Sequence, residues 1–498
     1  MTPAGQQDRP TSTSAAPTEP GAVKVEQDIQ VRYQESSSLA PEAPVTSKPI
    51  SEAVADLHIG LDLGTSCSKL AIGDSFLDQY YGVDFTNSAE GVAKYLFPTR
   101  FYEGTLGATL LTQPGAAARS DLKLRLMEAV ERHADTTETE SDLAIYLALL
   151  LNHAFSWFER HHARDHRTRR CCWWLNVGFP AKRVENNPKL SAAYKRCCRA
   201  AIRAVESGEP ISRILVQRFV GPDRPAGNGF ARLADDRINL YPEIAAQLAG
   251  YAYSPYRRND PLLLVDIGAG TLDVSTLILH RREGEEVCSF HFCEVAPLGV
   301  FHLYRETHRA MRLAAPNSLK FLAAAADDLA WRIPTSPGAY LDPGAALTSA
   351  LQKAFHDAQN SFATKCLDTC HSNFALFKAY LDEPAVSQNQ RPRAFRERVN
   401  FILSGGGSRS RFYLRLFPDA LEQRLLNLTS WPPETHQRRA IGQGLNRIHF
   451  MQPEKFRAEG VGAEDFDRMS VAHGLSMGAE TLMKITAKEA SDRQWAAT

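Results

Sequence analysis

Hydrophobic and polar positions divide this chain sharply. Residues 1 to about 53 mix Pro, Ser, Thr, Ala, Glu and Gln with no hydrophobic period. Such a stretch cannot bury enough apolar surface to offset its ordering entropy, so a disordered tail is predicted. The pattern changes at Leu57. LHIGLDLGTS reads as a buried strand running into a Gly-containing turn, and SKLAIG as the strand that returns from it. Between Ser120 and about Arg160 the apolar spacing becomes helical, in DLKLRLMEAVERH and DLAIYLALLLNHAFSWFERHH, and a basic loop, ARDHRTRR, follows.

WWLNVGFP is a further strand, PKLSAAYKRCCRAAIRAV a helix behind it, and RILVQRFV the next strand, an order that implies a right-handed crossover in a mixed sheet. YPEIAAQLAGYAY is helical. PLLLVDIGAGTLDVSTLIL then gives two apolar strands joined by a second Gly-rich turn. Phe301 to Tyr380 reads as nearly all helix, FILSGGG as a late buried strand and VAHGLSMGAETLMK as a final helix. The unit of strand, glycine turn and strand therefore occurs twice, at Asp62 and at Asp266, and predicts two related lobes facing each other.

Composition narrows the classes. The 498 residues are 44% hydrophobic, enough for one or two sizeable cores. Lys plus Arg and Asp plus Glu both total 57, so no overall field favours nucleic acid or a membrane surface, and neither is expected as a partner. The polar N-terminus lacks a signal sequence, and the longest apolar stretch, Leu143 to Leu151, is about half of a membrane span. A soluble, cytoplasmic protein is expected. Nine cysteines include the adjacent pairs Cys171/Cys172 and Cys197/Cys198 but no CxxC pair, which suits reduced thiols. Cys366, Cys370 and His371 could share one helical face, yet a closed zinc site needs four ligands, and no metal is assigned to them.

The two glycine turns carry the candidate chemistry. In DLGTSCSK, Asp62 ends a buried strand, Gly64 permits a sharp turn, and the hydroxyls of Thr65 and Ser66 with nearby N–H groups can hold phosphate oxygens, with Lys69 as a point charge. In VDIGAGTLDVS, Gly268 and Gly270 let backbone approach a ligand beside Thr271, while Asp266 and Asp273 bracket the turn. Carboxylates so placed suit a magnesium ion that keeps several waters, held chiefly by Asp62 and Asp266. Either turn alone is an ordinary hairpin. Two copies form a clamp for a magnesium triphosphate.

These two turns resemble the first and second phosphate loops of the actin, sugar-kinase and heat-shock-70 ATPases. LSGGGSR is similar to the adenosine loop of that superfamily, which implies that Gly405, Gly406 and Gly407 let the backbone pass the nucleoside and that Ser408 and Arg409 lie near base or ribose. VAHGLSMGAE is similar to the connecting helix, with Gly474 and Gly478 at close interlobe packing. PEIAAQLAGY resembles the heat-shock-70 segment whose acidic residue lies near the attacking water, here Glu243, and NVGFP the strand and proline before it, here Pro180.

The resemblance runs from Leu57 to about Lys484. It implies an α/β, two-lobed actin-like ATPase (ribonuclease H-like) fold, with mixed sheets flanked by helices and a nucleotide cleft between duplicated lobes. The expected divisions are a tail at 1–53, lobe I at 54–240, and lobe II at 241–490 with a helical insertion at about 301–380. No β-rich substrate-binding domain is expected after them. The catalytic set is expected to be Asp62, Lys69, Glu243, Asp266 and Asp273, with ATP and Mg2+ as cofactors.

Two departures matter. Heat-shock-70 ATPases carry a catalytic lysine soon after a strand like YLFPTRFYEG, and that signature is absent. Either Lys69 takes over the charge, or hydrolysis is very slow, or nucleotide acts as a switch without turnover. The basic adenine-stacking signature is also absent from 301–380. The first reading is a heat-shock-70-like, chaperone-type ATPase module whose nucleotide-driven lobe closure is read by an unidentified protein partner or client. The alternative is an actin-like, filament-forming ATPase, and a small-molecule kinase ranks third for want of a sugar-kinase signature.

Overall fold

A computed structural model describes residues 54–86, 89–105, 107–167, 169–180, 187–221, 233–254, 257, 261–282, 285–319, 333–382, 400–417, 419–426, 446–478 and 484–487. The N-terminal tail expected at 1–53 lies outside the described residues.

Two sheets with the same internal order organise the chain. In the first, β1 (Val54–Asp62), β2 (Cys67–Asp74) and β3 (Gln79–Gly82) form an antiparallel meander. Three short strands, β5 (Phe101–Gly104), β6 (Gly107–Thr109) and β7 (Ala117–Arg119), follow β4 (Phe97–Pro98) and make a small separate sheet. Next come β8 (Arg170–Phe179), parallel to β1, and β9 (Ile238–Pro242), parallel to β8. The second large sheet repeats this plan. β10 (Pro261–Ile267), β11 (Leu272–Arg282) and β12 (Glu285–Ala296) are an antiparallel meander, β13 (Asn400–Ser404) is parallel to β10, and β14 (Asn446–Ile448) is parallel to β13. A meander whose first strand gains a parallel neighbour needs a long crossover, and in both sheets that crossover carries helices.

In lobe I the crossover is α1 (Leu122–Glu131) and α2 (Thr137–His162), followed after β8 by α3 (Pro188–Glu206) and α4 (Arg213–Gln217). The apolar run of α2 packs with β1 and with Leu190, Ala193, Cys197 and Cys198 of α3 in one core. Then come α5 (Glu243–Ala252), α6 (Val300–Ala314) and α7 (Ser349–Asp382). Cys366 and Cys370 of α7 are fully buried against lobe II apolar residues, so they serve the core. After α8 (Arg411–Leu416) and α9 (Asp419–Leu426), β15 (Phe456–Arg457) pairs with β3, α10 (Ser470–Leu475) lies between the lobes, and β16 (Lys484–Ala487) pairs with β12.

Four expectations change. RILVQ is the helix α4, not a strand, because the Ser212 hydroxyl accepts from the Leu215 N–H at its start and only Leu215 and Val216 turn inward. A short apolar run does not tell helix from strand by itself. The stretch 301–380 holds two helices separated by extended and turn residues at 333–348, with 320–332 outside the described residues. The final helix stops at Leu475, and Lys484 opens a strand, with 479–483 outside the described residues. The lobe boundary is also less simple than a cut at 240: β9 runs to Pro242, and β15, from the second half, completes the first sheet.

Glycines decide how closely α10 approaches. A Cβ on Gly60 of β1 would stand 2.3 Å from the Ala472 carbonyl oxygen, and one on Gly474 would stand 1.9 Å from that of Ala246 in α5. Buried Asn176 of β8 donates to the Leu475 carbonyl at 2.7 Å and accepts from Asn239 at 3.1 Å, pinning the end of α10 to the first sheet. No helix among the described residues is long and apolar enough to cross a membrane.

Candidate functional site: a cleft between two glycine turns

Asp62 and Asp266 end equivalent strands, β1 and β10, and each faces a residue on the returning strand: Asp62 opposite Lys69, Asp266 opposite Asp273. Side chains on directly opposed positions share one face of the sheet. The Lys69 ammonium donates to Asp62 Oδ2 at 2.8 Å. Asp266 Oδ2 accepts from Gln247 Nε2 at 2.6 Å and from the Ser404 hydroxyl at 2.9 Å. Burial pushes the Asp266 carboxyl up from its ordinary range, against the pull of those two donors.

The loops themselves are braced from behind. The first is held by Thr99, whose hydroxyl donates to the Gly64 carbonyl at 2.8 Å and whose N–H donates to the Ser66 carbonyl at 2.8 Å. The second rests on the start of α6: Gly299, Val300 and Phe301 N–H groups donate to the carbonyls of Gly270, Gly268 and Ala269 at 3.2, 3.2 and 2.8 Å. These bonds satisfy helix donors that would otherwise lack partners. Across the cleft a Cβ on Gly270 would stand 3.7 Å from Thr65, so the two turns face each other.

Asp62, Gly64, Thr65, Ser66, Lys69, Glu243, Asp266, Gly268, Thr271, Asp273, Gly405 and Gly406 line one cavity. Gly270, Gly407, Ser408 and Arg409 do not. Gly405, at φ +83° and within 2.4 Å of Asp266 and of the Ile267 carbonyl were a Cβ added, is a position only glycine fills without strain. Gly407 backs onto Val300 and Ile267 instead. Ser408 donates to the Gly405 carbonyl at 2.7 Å. Arg409 donates to Asp465, to Asp467 at 2.5 Å and to the Glu464 carbonyl at 2.7 Å. Arg409 and Ser408 thus brace the loop from outside the cavity lining.

The cavity also holds residues that the sequence reading missed: Lys123, Gln247, Asp467 and Arg468. Lys123, in the first turn of α1, donates to Glu243 Oε1 at 2.7 Å. Burial works against its charge, but the Glu243 carboxylate outweighs burial and holds the ammonium above its usual range. Burial pushes Glu243 up, and Lys123 offsets part of that rise. The acid at the head of α5 therefore has a buried cationic partner, Lys123. Its signal was a lysine at the start of the first helix after YLFPTRFYEG, masked because Lys at a helix start beside apolar residues reads as an exposed position.

Asp273 is pushed up to about 7 by burial first and then by the negative charges of Asp266 and Glu243, and its Oδ1 has no hydrogen-bond partner. A buried carboxylate oxygen in that state fits a nearby cation. The donors offered are all oxygens, as a hard ion prefers. Among the described residues no group of three or more His, Cys, Asp or Glu is placed to hold a metal ion directly.

No protein-family model and no curated protein matches the sequence. Among solved structures, a MamK double helical filament shares 12% identity at a TM-score of 0.41, over 84% of this chain and 98% of that one. A non-polymerising MamK mutant bound to AMPPNP shares 14% identity at a TM-score of 0.38, over 86% of this chain and 99% of that one. No comparison supports the heat-shock-70 assignment. The repeated strand order of the two sheets, with a cleft between their paired glycine turns, gives this chain a two-lobed α/β fold of mixed sheets flanked by helices.

Proposed function

We propose that the chain binds Mg-ATP between its lobes and hydrolyses the γ-phosphate. The observation that carries this reading is the cavity itself, in which two facing glycine turns bring hydroxyls and N–H groups together with Lys69, Lys123 and five acidic side chains. Thr65, Ser66, Gly268 and Thr271 would hold phosphate oxygens through short polar groups and open backbone. Asp62, Asp266 and Asp273 would hold magnesium through its waters, and the ion when bound would screen the charge of the phosphate chain.

Glu243 is suited to orient the attacking water, its acidity reduced by burial. Lys123 and Lys69 provide positive charge for the transferring phosphoryl group, and of the two Lys123 replaces the lysine expected from the heat-shock-70 pattern. Turnover, rather than a bare binding switch, follows from having both a water-orienting acid and a second cation in the cleft.

What the cycle drives has two readings. One is a conformational switch read by a partner protein, driven by the different contacts ATP makes with open and closed lobes. The other is nucleotide-dependent self-assembly, which accords with the likeness to a MamK double helical filament and is the better supported of the two. The deciding experiment measures ATP turnover and nucleotide binding of wild type, Asp266→Ala and Lys69→Ala, with light scattering in ATP and ADP. Turnover lost in Asp266→Ala supports the cleft chemistry, and wild type that neither binds nor hydrolyses ATP overturns it. Scattering that rises with ATP selects assembly.

A further inference from the structure

We propose that Gln247 is a positioning residue for the reaction in the cleft: its side-chain amide holds the Asp266 carboxylate in one orientation and in a fixed place relative to Glu243. The proposal rests on the nucleotide reading above and adds to it how two of the acids are kept in register.

Glu243 and Gln247 stand four residues apart in α5, so they share one face of that helix, and both line the cavity. The Glu243 end is fixed by Lys123 at 2.7 Å and by Gly178 of β8, where a Cβ would stand 2.8 Å from the Glu243 Cγ. The Gln247 end is fixed by two strands of the second sheet. β10 and β13 run parallel with Asp266 beside Ser404. Gln247 Nε2 donates to Asp266 Oδ2 at 2.6 Å and to the Ser404 hydroxyl at 2.9 Å, and that hydroxyl donates to the same Oδ2 at 2.9 Å. One helix and two strands therefore meet in a closed triangle of hydrogen bonds.

The triangle is dry, since Gln247 is only 3% exposed and Ser404 fully buried. Buried donors of this kind are costly to leave unpaired, which makes the arrangement stiff. Both donors grip Oδ2, and Oδ1 lies against Gly405, where a Cβ would stand only 2.4 Å from it. The grip thus fixes the carboxylate plane and sets Oδ1 at the glycine loop of the cavity. The type of donor matters as well. Asp62 and Glu243 take lysine partners, whereas Asp266 takes an amide and a hydroxyl. Neutral donors orient a carboxylate and leave its charge to act on what enters the cleft.

The test measures kcat and ATP Kd for wild type, Gln247→Met and Ser404→Ala, the first substitution keeping length and volume while removing the amide donors. Gln247→Met is expected to lower kcat by about tenfold or more while Kd changes less than about threefold, and Ser404→Ala to act in the same direction with a smaller effect. Melting of Gln247→Met, Asp266→Ala and the double variant gives a readout apart from turnover: the two losses should be less than additive, because either change breaks the same contact. Unchanged kcat in a folded Gln247→Met overturns the proposal, as does a rise in Kd that matches the fall in kcat, which would mark general distortion of the cleft. Additive melting losses also overturn it. Wild type that binds no ATP overturns the nucleotide reading and this role together, an outcome distinct from the others, in which wild type binds and turns over.

Discussion

Lys123 and Glu243 show how burial turns an ordinary ion pair into a constraint. Breaking such a pair leaves one charge buried alone, which costs about 3–5 kcal/mol where desolvation is complete. Lys123→Met is therefore expected to lower the melting temperature, and the double variant Lys123→Met/Glu243→Gln to recover most of that loss, as measured by thermal melting. Lys123→Met should also reduce ATP turnover by about 10²–10³-fold while weakening nucleotide binding far less, seen by comparing kcat with Kd. Asp273 supplies a pH test. Its folded carboxyl keeps its proton to about 7, whereas an unfolded one loses it near 3.8. Stability from this group is full below 3.8 and lost as pH rises through 7, so Asp273→Asn should flatten the fall in melting temperature over that range in metal-free buffer.

At the scale of elements, the turn Ala163–His166 is fastened to the end of β2 by a buried pair, His166 Nε2 to Asp74 Oδ2 at 2.8 Å. The bond to Asp74 raises His166 to about 9. Burial opposes the Asp74 charge, but His166 and the Leu77 and Phe76 N–H groups outweigh it and hold that carboxyl below its ordinary value. For His166 the stabilisation is present below about 6.5 and disappears as pH rises through 9. His166→Gln should remove that alkaline decline in a melting series from pH 6 to 10. The contact of α10 with α5 offers a second test. Gly474→Ala meets the Ala246 carbonyl and is expected to destabilise by about 1–3 kcal/mol or more in denaturant titration. Gly338→Ala, with nothing within 4 Å of the new methyl, should be tolerated.

Across the whole molecule the cleft is built from both lobes: Asp62, Thr65 and Lys69 come from the first sheet, Asp266, Thr271 and Asp273 from the second. A ligand that touches both stabilises them together. ATP at about 100 times its Kd should add about 2.7 kcal/mol, raising the melting temperature of a single transition, and Asp266→Ala should lose the rise. A biphasic melt in which only one half responds would contradict a shared site.

Much of this was settled from the chain's own pattern. Two strand-turn-strand units with Asp at the strand end and glycine two residues later indicated a duplicated α/β fold and located both glycine turns of the cavity, because turn geometry and strand burial are local properties. The failures have one cause. Whether RILVQ is helix or strand depends on what covers it, and three consecutive apolar residues carry no period. Lys123 and Arg468 are unremarkable in sequence because their place in the cavity depends on where α1 and the turn before α10 come to rest. The partners of Arg409 were hidden for the same reason: the acidic residues that capture it are 56 and 58 positions later. Local chemistry is written in neighbouring residues, while the pairing of charges across a cleft exists only once long-range packing has brought distant segments together.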